Sequence, residues 1–234
     1  MEHEMGPQFQ SELKKLQSKF MDMGITVSDQ IYRSTKAFAD HDKEAAQAVV
    51  LADHQINEHE TDLEKQALYM MALQQPVATS FREVISVLKA SSDLERIGDH
   101  AVGIARETIY IKGNPRIDRI EKMIANLTDA IRKMLEDSLN AYFKEDAEAA
   151  KQIAKTDEEI DRQFVAIRKA VTSKENEDAQ HAAAKASYLM VARFLERIGD
   201  HIVNISEWTV YSKTGRIIEL SDDQKRMEDH LPEQ

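Results

Sequence analysis

The heptapeptide Leu94–Glu95–Arg96–Ile97–Gly98–Asp99–His100 occurs a second time as Leu195–Glu196–Arg197–Ile198–Gly199–Asp200–His201. So long a run of consecutive identities does not arise by chance, and it does not stand alone. Val102, Ile104, Thr108 and Tyr110 have identical mates at Val203, Ile205, Thr209 and Tyr211. Upstream, Leu13, Leu16 and Phe20 fall on Ile117, Ile120 and Ile124, and Met23, Val27 and Ile31 fall on Leu127, Ile131 and Leu135. Asp42, Glu44, Ala45 and Ala46 likewise fall on Asp146, Glu148, Ala149 and Ala150. The chain is an internal duplication, so whatever one half folds into, the other folds into as well. The register between the copies changes once. That change places three additional residues of the first copy in the connection between its second and third elements.

Each half reads as three helices. Phe9, Leu13, Leu16, Phe20, Met23, Val27 and Ile31 recur in steps of four and three, which sets them on one stripe of a helix. The stripe ends near Asp40–His41–Asp42. A second helix is expected from Lys43 to Leu73, with Ala45, Ala48, Ala52, Ile56 and Leu63 inward. Pro76 stands where proline favours a helix start, so a third helix is expected to begin there. It runs to Ile111 and stops before the breaker Lys112–Gly113–Asn114–Pro115. With only seven glycines and four prolines there are few turns, so the elements are long. The expected fold is all-α: six long helices forming two tandem three-helix bundles, residues 1–113 and 114–220. A polar tail, 221–234, ends in Leu231–Pro232–Glu233–Gln234 and is expected to be loose.

The net charge of −11 disfavours nucleic acid as a partner, because that affinity rests on neutralising phosphates with Lys and Arg. The chain has no cysteine, which excludes disulfides, thiolate metal sites and cysteine nucleophiles, and fits a reducing compartment. No apolar run approaches the ~20 residues that span a bilayer, and Met1–Gln10 lacks the apolar core of a signal peptide. The expectation is an intracellular, cytoplasmic protein that meets a membrane only through partners.

The third helix carries the chemistry. Its inward stripe is Val84, Leu88, Ser91, Glu95, Gly98, Val102, Ala105 and Ile109, so Glu95 occupies a seam position where an apolar residue belongs. Glu196 does the same between Leu189, Ala192, Gly199 and Val203. A buried carboxylate is unfavourable unless it is paired or coordinated. Four residues on stand Asp99 and Asp200, like charges on one helical face that repel by a few tenths of a kcal/mol until a cation lies between them. The second helix offers a similar spacing, Asp53 with Asn57 in one copy and Asp157 with Asp161 in the other. Antiparallel packing brings two such pairs face to face. Oxygen donors of this kind suit Mg, Mn, Fe and, less selectively, Zn. Asn57 departs from the acidic pattern and lowers the charge of the first site. The bland alternative is an ion-pair network, with Arg96 three residues before Asp99, Arg197 three before Asp200, and Arg193 three before Glu196.

Other signals carry less. The ten methionines, Met70–Met71 among them, read as core filler, and Trp208 as packing. His100 and His201 are one step past the Asp and are expected on the solvent side, with a ligand role as the other reading. Gly24 inside the first helix suggests a close helix contact there. Neither a GxxxxGK[ST] nor a GxGxxG sequence occurs. No histidine follows a glutamate at the Glu-x-x-His spacing of ferritin-like di-iron sites; Asp178–His181 is the nearest approach. A carboxylate-bridged metal-dependent enzyme, oxidase or hydrolase, is therefore the weaker functional reading, beside a plain scaffold whose acids are all ion-paired.

The repeated Leu-Glu-Arg-Ile-Gly-Asp-His motif resembles the signature of the PhoU family. So do the Phe9, Leu13, Leu16, Met23–Gly24 opening and the Thr214–Gly215–Arg216 ending, and the likeness runs from about residue 9 to 220. The resemblance implies a non-enzymatic negative regulator of phosphate uptake and phosphate-starvation signalling. It implies as partners the ATPase subunit of a phosphate ABC transporter, a sensor histidine kinase, and a second copy in a homodimer. It also implies divalent or trivalent metal ions on paired E(D)xxxD motifs: Asp53, Asn57, Glu95 and Asp99 in the first unit, and Asp157, Asp161, Glu196 and Asp200 in the second.

Overall fold

A computed structural model of the chain describes residues 6–173 and 179–220. Asp178, of the Asp178–His181 pair, and the 221–234 tail lie outside the described residues. The helices are α1 (Pro7–Ala39), α2 (Lys43–Ala52), α3 (His54–Gln74), α4 (Ala78–Tyr110), α5 (Asp118–Phe143), α6 (Ala147–Val171) and α7 (Ala182–Thr214). A 3-10 turn, Ala179–His181, precedes α7.

The duplication is visible in the turns. His41 and Glu145 both take the left-handed conformation, at φ 57° and 52°. The next residue in each copy, Asp42 or Asp146, returns its N–H to the carbonyl of Ala37 or Ala141, both at 2.9 Å. The same aspartates then cap the following helix, Asp42 accepting from Ala45 N and Asp146 from Glu148 N and Ala149 N. The first-helix stripe is buried throughout, as is its mate in α5 apart from the half-buried Ile117. Each of these side chains stabilises the fold by ~1.5–3 kcal/mol through burial.

Three features differ from expectation. The second helix of the first copy is interrupted at Asp53 into α2 and α3, although Asp53 itself keeps helical backbone angles (φ −57°, ψ −34°), whereas α6 is continuous. Across that break the buried side chains are Ala46, Val49, Ile56 and Leu63, while Ala48 is exposed and Ala45 and Ala52 are half-buried. Pro76 does not open the third helix. Gln75 closes α3 in the left-handed conformation (φ 46°), Val77 is extended, and α4 starts at Ala78. The additional residues of the first copy lie in α3 itself, which continues about two turns past the point matching the end of α6.

α4 packs along α7, and α1 along α5; α2 and α3 flank one side, α6 the other. α4 and α7 run antiparallel, since Arg82 meets Ser212, Asp93 meets His201 and Glu107 meets Ser187. α4 therefore buries two faces. Ser91, Gly98 and Val102 lie on the expected stripe, and Val87, Leu94, Ile97, Ala101 and Ile104 are buried as well. One continuous hydrophobic core runs through both repeats. No helix among the described residues is long and apolar enough to cross a membrane.

Candidate metal centres

The deeper centre lies where α6 meets α7. Asp157 is 2% exposed and Glu196 7% exposed, and Asp161 and Asp200 lie half-buried one turn further along each helix. Gly199 is what lets the helices close here: a β-carbon at that position would stand 2.8 Å from Asp157 Oδ1. Arg193 Nη1 donates to Glu196 Oε1 at 2.6 Å. Glu196 Oε2 is buried and accepts no hydrogen bond. Burial, and then the charge of Asp200, push the Glu196 carboxyl up to about 7; Arg193 opposes the shift and Asp161 adds to it.

The first centre, between α3 and α4, is shallower. Asp53 and Glu95 are half-buried, and Asn57 and Asp99 are exposed. Arg96 lies 3.6 Å from Glu95 and 3.3 Å from Asp99, so part of the ion-pair reading is realised, as it is at Arg193–Glu196. Burial raises the Glu95 carboxyl above the ordinary range, followed by Asp99 and Glu60. Glu60 was not among the sequence candidates. It lies on α3 two turns from Asp53, and its mate in the second unit is Phe164, so the repeat comparison hid it. Gln30 of α1 was also missed. It donates from Nε2 to Asp53 Oδ1 at 3.1 Å.

Both flanks thus carry acidic side chains from two neighbouring helices. Among the described residues, however, no three histidine, aspartate or glutamate side chains converge closely enough, as they stand, to close around an ion. The chemistry of the second donor set nonetheless fits a cation. It is all oxygen, mutually repulsive, and includes a buried carboxylate oxygen that accepts no hydrogen bond.

His100 and His201 are not on the solvent side. Their rings stack between α4 and α7 with centroids 5.5 Å apart. Asp93 accepts from His201 Nδ1 and from Asn204 Nδ2, both at 2.9 Å. Burial, then His201 and Arg197, push the His100 imidazole down to about 4, so this ring is neutral at physiological pH.

Fold and site together define a duplicated helical-bundle protein with acidic side chains gathered on the second and third helices of each repeat. The PhoU domain matches residues 20–108 and again 119–209. The chain belongs to the PhoU family. It is 33% identical over 215 residues to a phosphate-specific transport system accessory protein PhoU homolog of Clostridium acetobutylicum, covering 92% of this chain and 98% of that protein. The crystal structure of the phosphate transport system regulatory protein PhoU from Streptococcus pneumoniae superposes with a TM-score of 0.84 at 32% identity, over 90% of this chain and 99% of that one. PhoU from Pseudomonas aeruginosa gives 0.84 at 31%, over 89% and 100%.

Proposed function

We propose that this chain is a non-enzymatic accessory and regulatory protein of a phosphate-specific transport system. It acts in the cytoplasm as a homodimer. It couples the ATPase subunit of a phosphate ABC transporter to a sensor histidine kinase, and so keeps phosphate-starvation genes off while phosphate is plentiful. The observation that supports this reading is the end-to-end likeness to proteins named as accessory or regulatory proteins of phosphate transport, with the PhoU domain matched in both repeats.

The surface supports a docking role. From Gln66 to Phe81 there is no charged residue, in a chain of which 31% is charged. Leu68, Tyr69, Leu73 and Val77 in that stretch are each half or more exposed. Leu68 and Tyr69 lie on the part of α3 that extends past the point matching the end of α6, where the second copy has Thr172 and Ser173 beyond its helix, so this apolar surface belongs to the first repeat alone. Lacking any Lys or Arg, this face suits a protein partner better than an anionic membrane, and we assign it to the transporter ATPase.

The paired motifs, Asp53, Asn57, Glu95 and Asp99 and their mates Asp157, Asp161, Glu196 and Asp200, would hold Fe, Zn, Mn or Mg. A bound cation would supply positive charge that reverses the repulsion within each pair. The residues themselves orient that site: Arg193 holds one oxygen of Glu196, and Gly199 clears the space over Asp157.

Deletion of the gene tests the function. Phosphate-starvation genes should be expressed in high phosphate in the deletion strain and silenced again by the intact gene. An unchanged response in a strain without a paralogue would overturn the reading.

A further inference from the structure

The two centres are built from different oxygens. In the second unit, the oxygen over the helix glycine is Asp157 Oδ1, 2.8 Å from where a β-carbon of residue 199 would lie. In the first unit the same place over Gly98 is filled by Gln30 Oε1, at 3.0 Å. Asp53, the mate of Asp157, stands further out, and Gln30 bridges the gap by donating Nε2 to Asp53 Oδ1 at 3.1 Å. That bond fixes which way the amide points, because a reversed amide would turn its oxygen onto a carboxylate. Gln30 is 6% exposed, and its Oε1 is buried with no hydrogen-bond partner. An amide oxygen left bare in a core is destabilising. The second repeat shows that the fold does not need it: the mate of Gln30 is Met134, fully buried.

We infer that Gln30 is a cation-site residue, its amide oxygen standing in the first centre where Asp157 Oδ1 stands in the second, so that the two centres are unequal in charge and affinity. The inference rests on the proposal that the paired motifs bind metal. The second centre, with four carboxylates, is the tighter one. The first has three motif carboxylates, Asp53, Glu95 and Asp99, with Asn57 in place of the fourth and the Gln30 amide oxygen over the glycine. It takes a hard divalent cation of the Mg or Mn class more weakly, with Gln30 contributing its oxygen directly or to a water on the ion.

The full chain, stripped with a chelator and titrated with Mn2+, tests this, with free Mn2+ read from its paramagnetic resonance signal. Wild type should show a tight and a weak class of site. Gln30→Met, which installs the residue the second repeat uses, should weaken the weak class about tenfold or abolish it, and leave the tight class within about twofold. Gln30→Glu, close in shape, should strengthen the weak class, and it serves if the methionine variant does not fold. A weak class unmoved by both variants overturns the role of Gln30 while leaving metal binding intact, and so does a single class of equal sites in wild type. Absence of Mn2+ binding in wild type overturns the metal reading and this inference together. A Gln30 that only braces Asp53 would change the melting temperature of the metal-free protein and not the ratio of the two Mn2+ affinities.

Discussion

Glu196 has one oxygen held by Arg193 and the other bare in the core, beside Asp161 and Asp200. Its folded carboxyl is pushed up to about 7 from an ordinary value of 4.5. A raised acid favours the protonated state when folded. Its contribution to stability is full below about 4.5 and is lost as pH rises through about 7. In metal-free protein we expect unfolding free energy to fall across that window by up to about 3 kcal/mol. Glu196→Gln should remove most of the fall, leaving the smaller slope of Glu95, which is shifted the same way. Urea unfolding at pH 5 and pH 8 reads this, and a variant with the same pH slope as wild type would refute it. The sequence marked Glu95 and Glu196 as equivalent inward acids, and both do face inward. It could not separate their depths, because depth is set by neighbours from other helices. The first repeat has the polar Gln30 and Glu60 where the second has the buried Met134 and Phe164.

The elements meet most closely at glycines, and not every glycine is equally constrained. A β-carbon at Gly24 would stand 2.8 Å from Leu139 Cδ1, the far end of a side chain able to change rotamer. One at Gly103 would meet the Phe194 ring at 2.7, 2.8 and 2.9 Å, and that ring is held against His100 between α4 and α7. Replacing a helical glycine by alanine gains up to ~1 kcal/mol of propensity, so Gly24→Ala should be close to neutral. Gly103→Ala should instead lose about 1–3 kcal/mol by overpacking. Thermal melts of the two variants check the contrast, and a stabilised Gly103→Ala would mean that α4 and α7 separate freely. The all-helical plan and most helix ends were legible because periodicity and turn residues are local signals: the first helix stops at Ala39, the next starts at Lys43, and the third ends just before Lys112. The interruption at Asp53 was not, since no glycine or proline stands near it to signal one. Nor was the start of α4, because α3 closes with a left-handed Gln75 and the chain spends Pro76 and Val77 turning back.

At the scale of the whole molecule, the duplication gives an approximate two-fold relation between repeats whose contacts are no longer equivalent. His201 meets Asp93, while its mate His100 meets Phe194, the residue that replaces Asp93 in the second copy. The joint between repeats is specific too. Arg116 donates to Glu121 and, at 3.1 Å, to the Phe38 carbonyl, and Tyr188 donates to Glu121 at 3.1 Å. Divergence of this kind separates what the fold requires of both copies from what only one copy keeps. The uncharged, exposed end of α3 belongs to the second kind. Leu68→Ser combined with Tyr69→Ser makes this face resemble Thr172 and Ser173 of the other repeat. Since both side chains are already exposed, unfolding free energy should stay within about 0.5 kcal/mol of wild type. Binding to the purified transporter ATPase should fall at least about tenfold, because exposed aromatic and aliphatic anchors dominate such contacts. Unchanged binding would remove the face from the interface with the ATPase. A double variant that instead turns a dimer into a monomer in sedimentation would show that this face joins two copies of the chain, and the ATPase would then have to dock elsewhere.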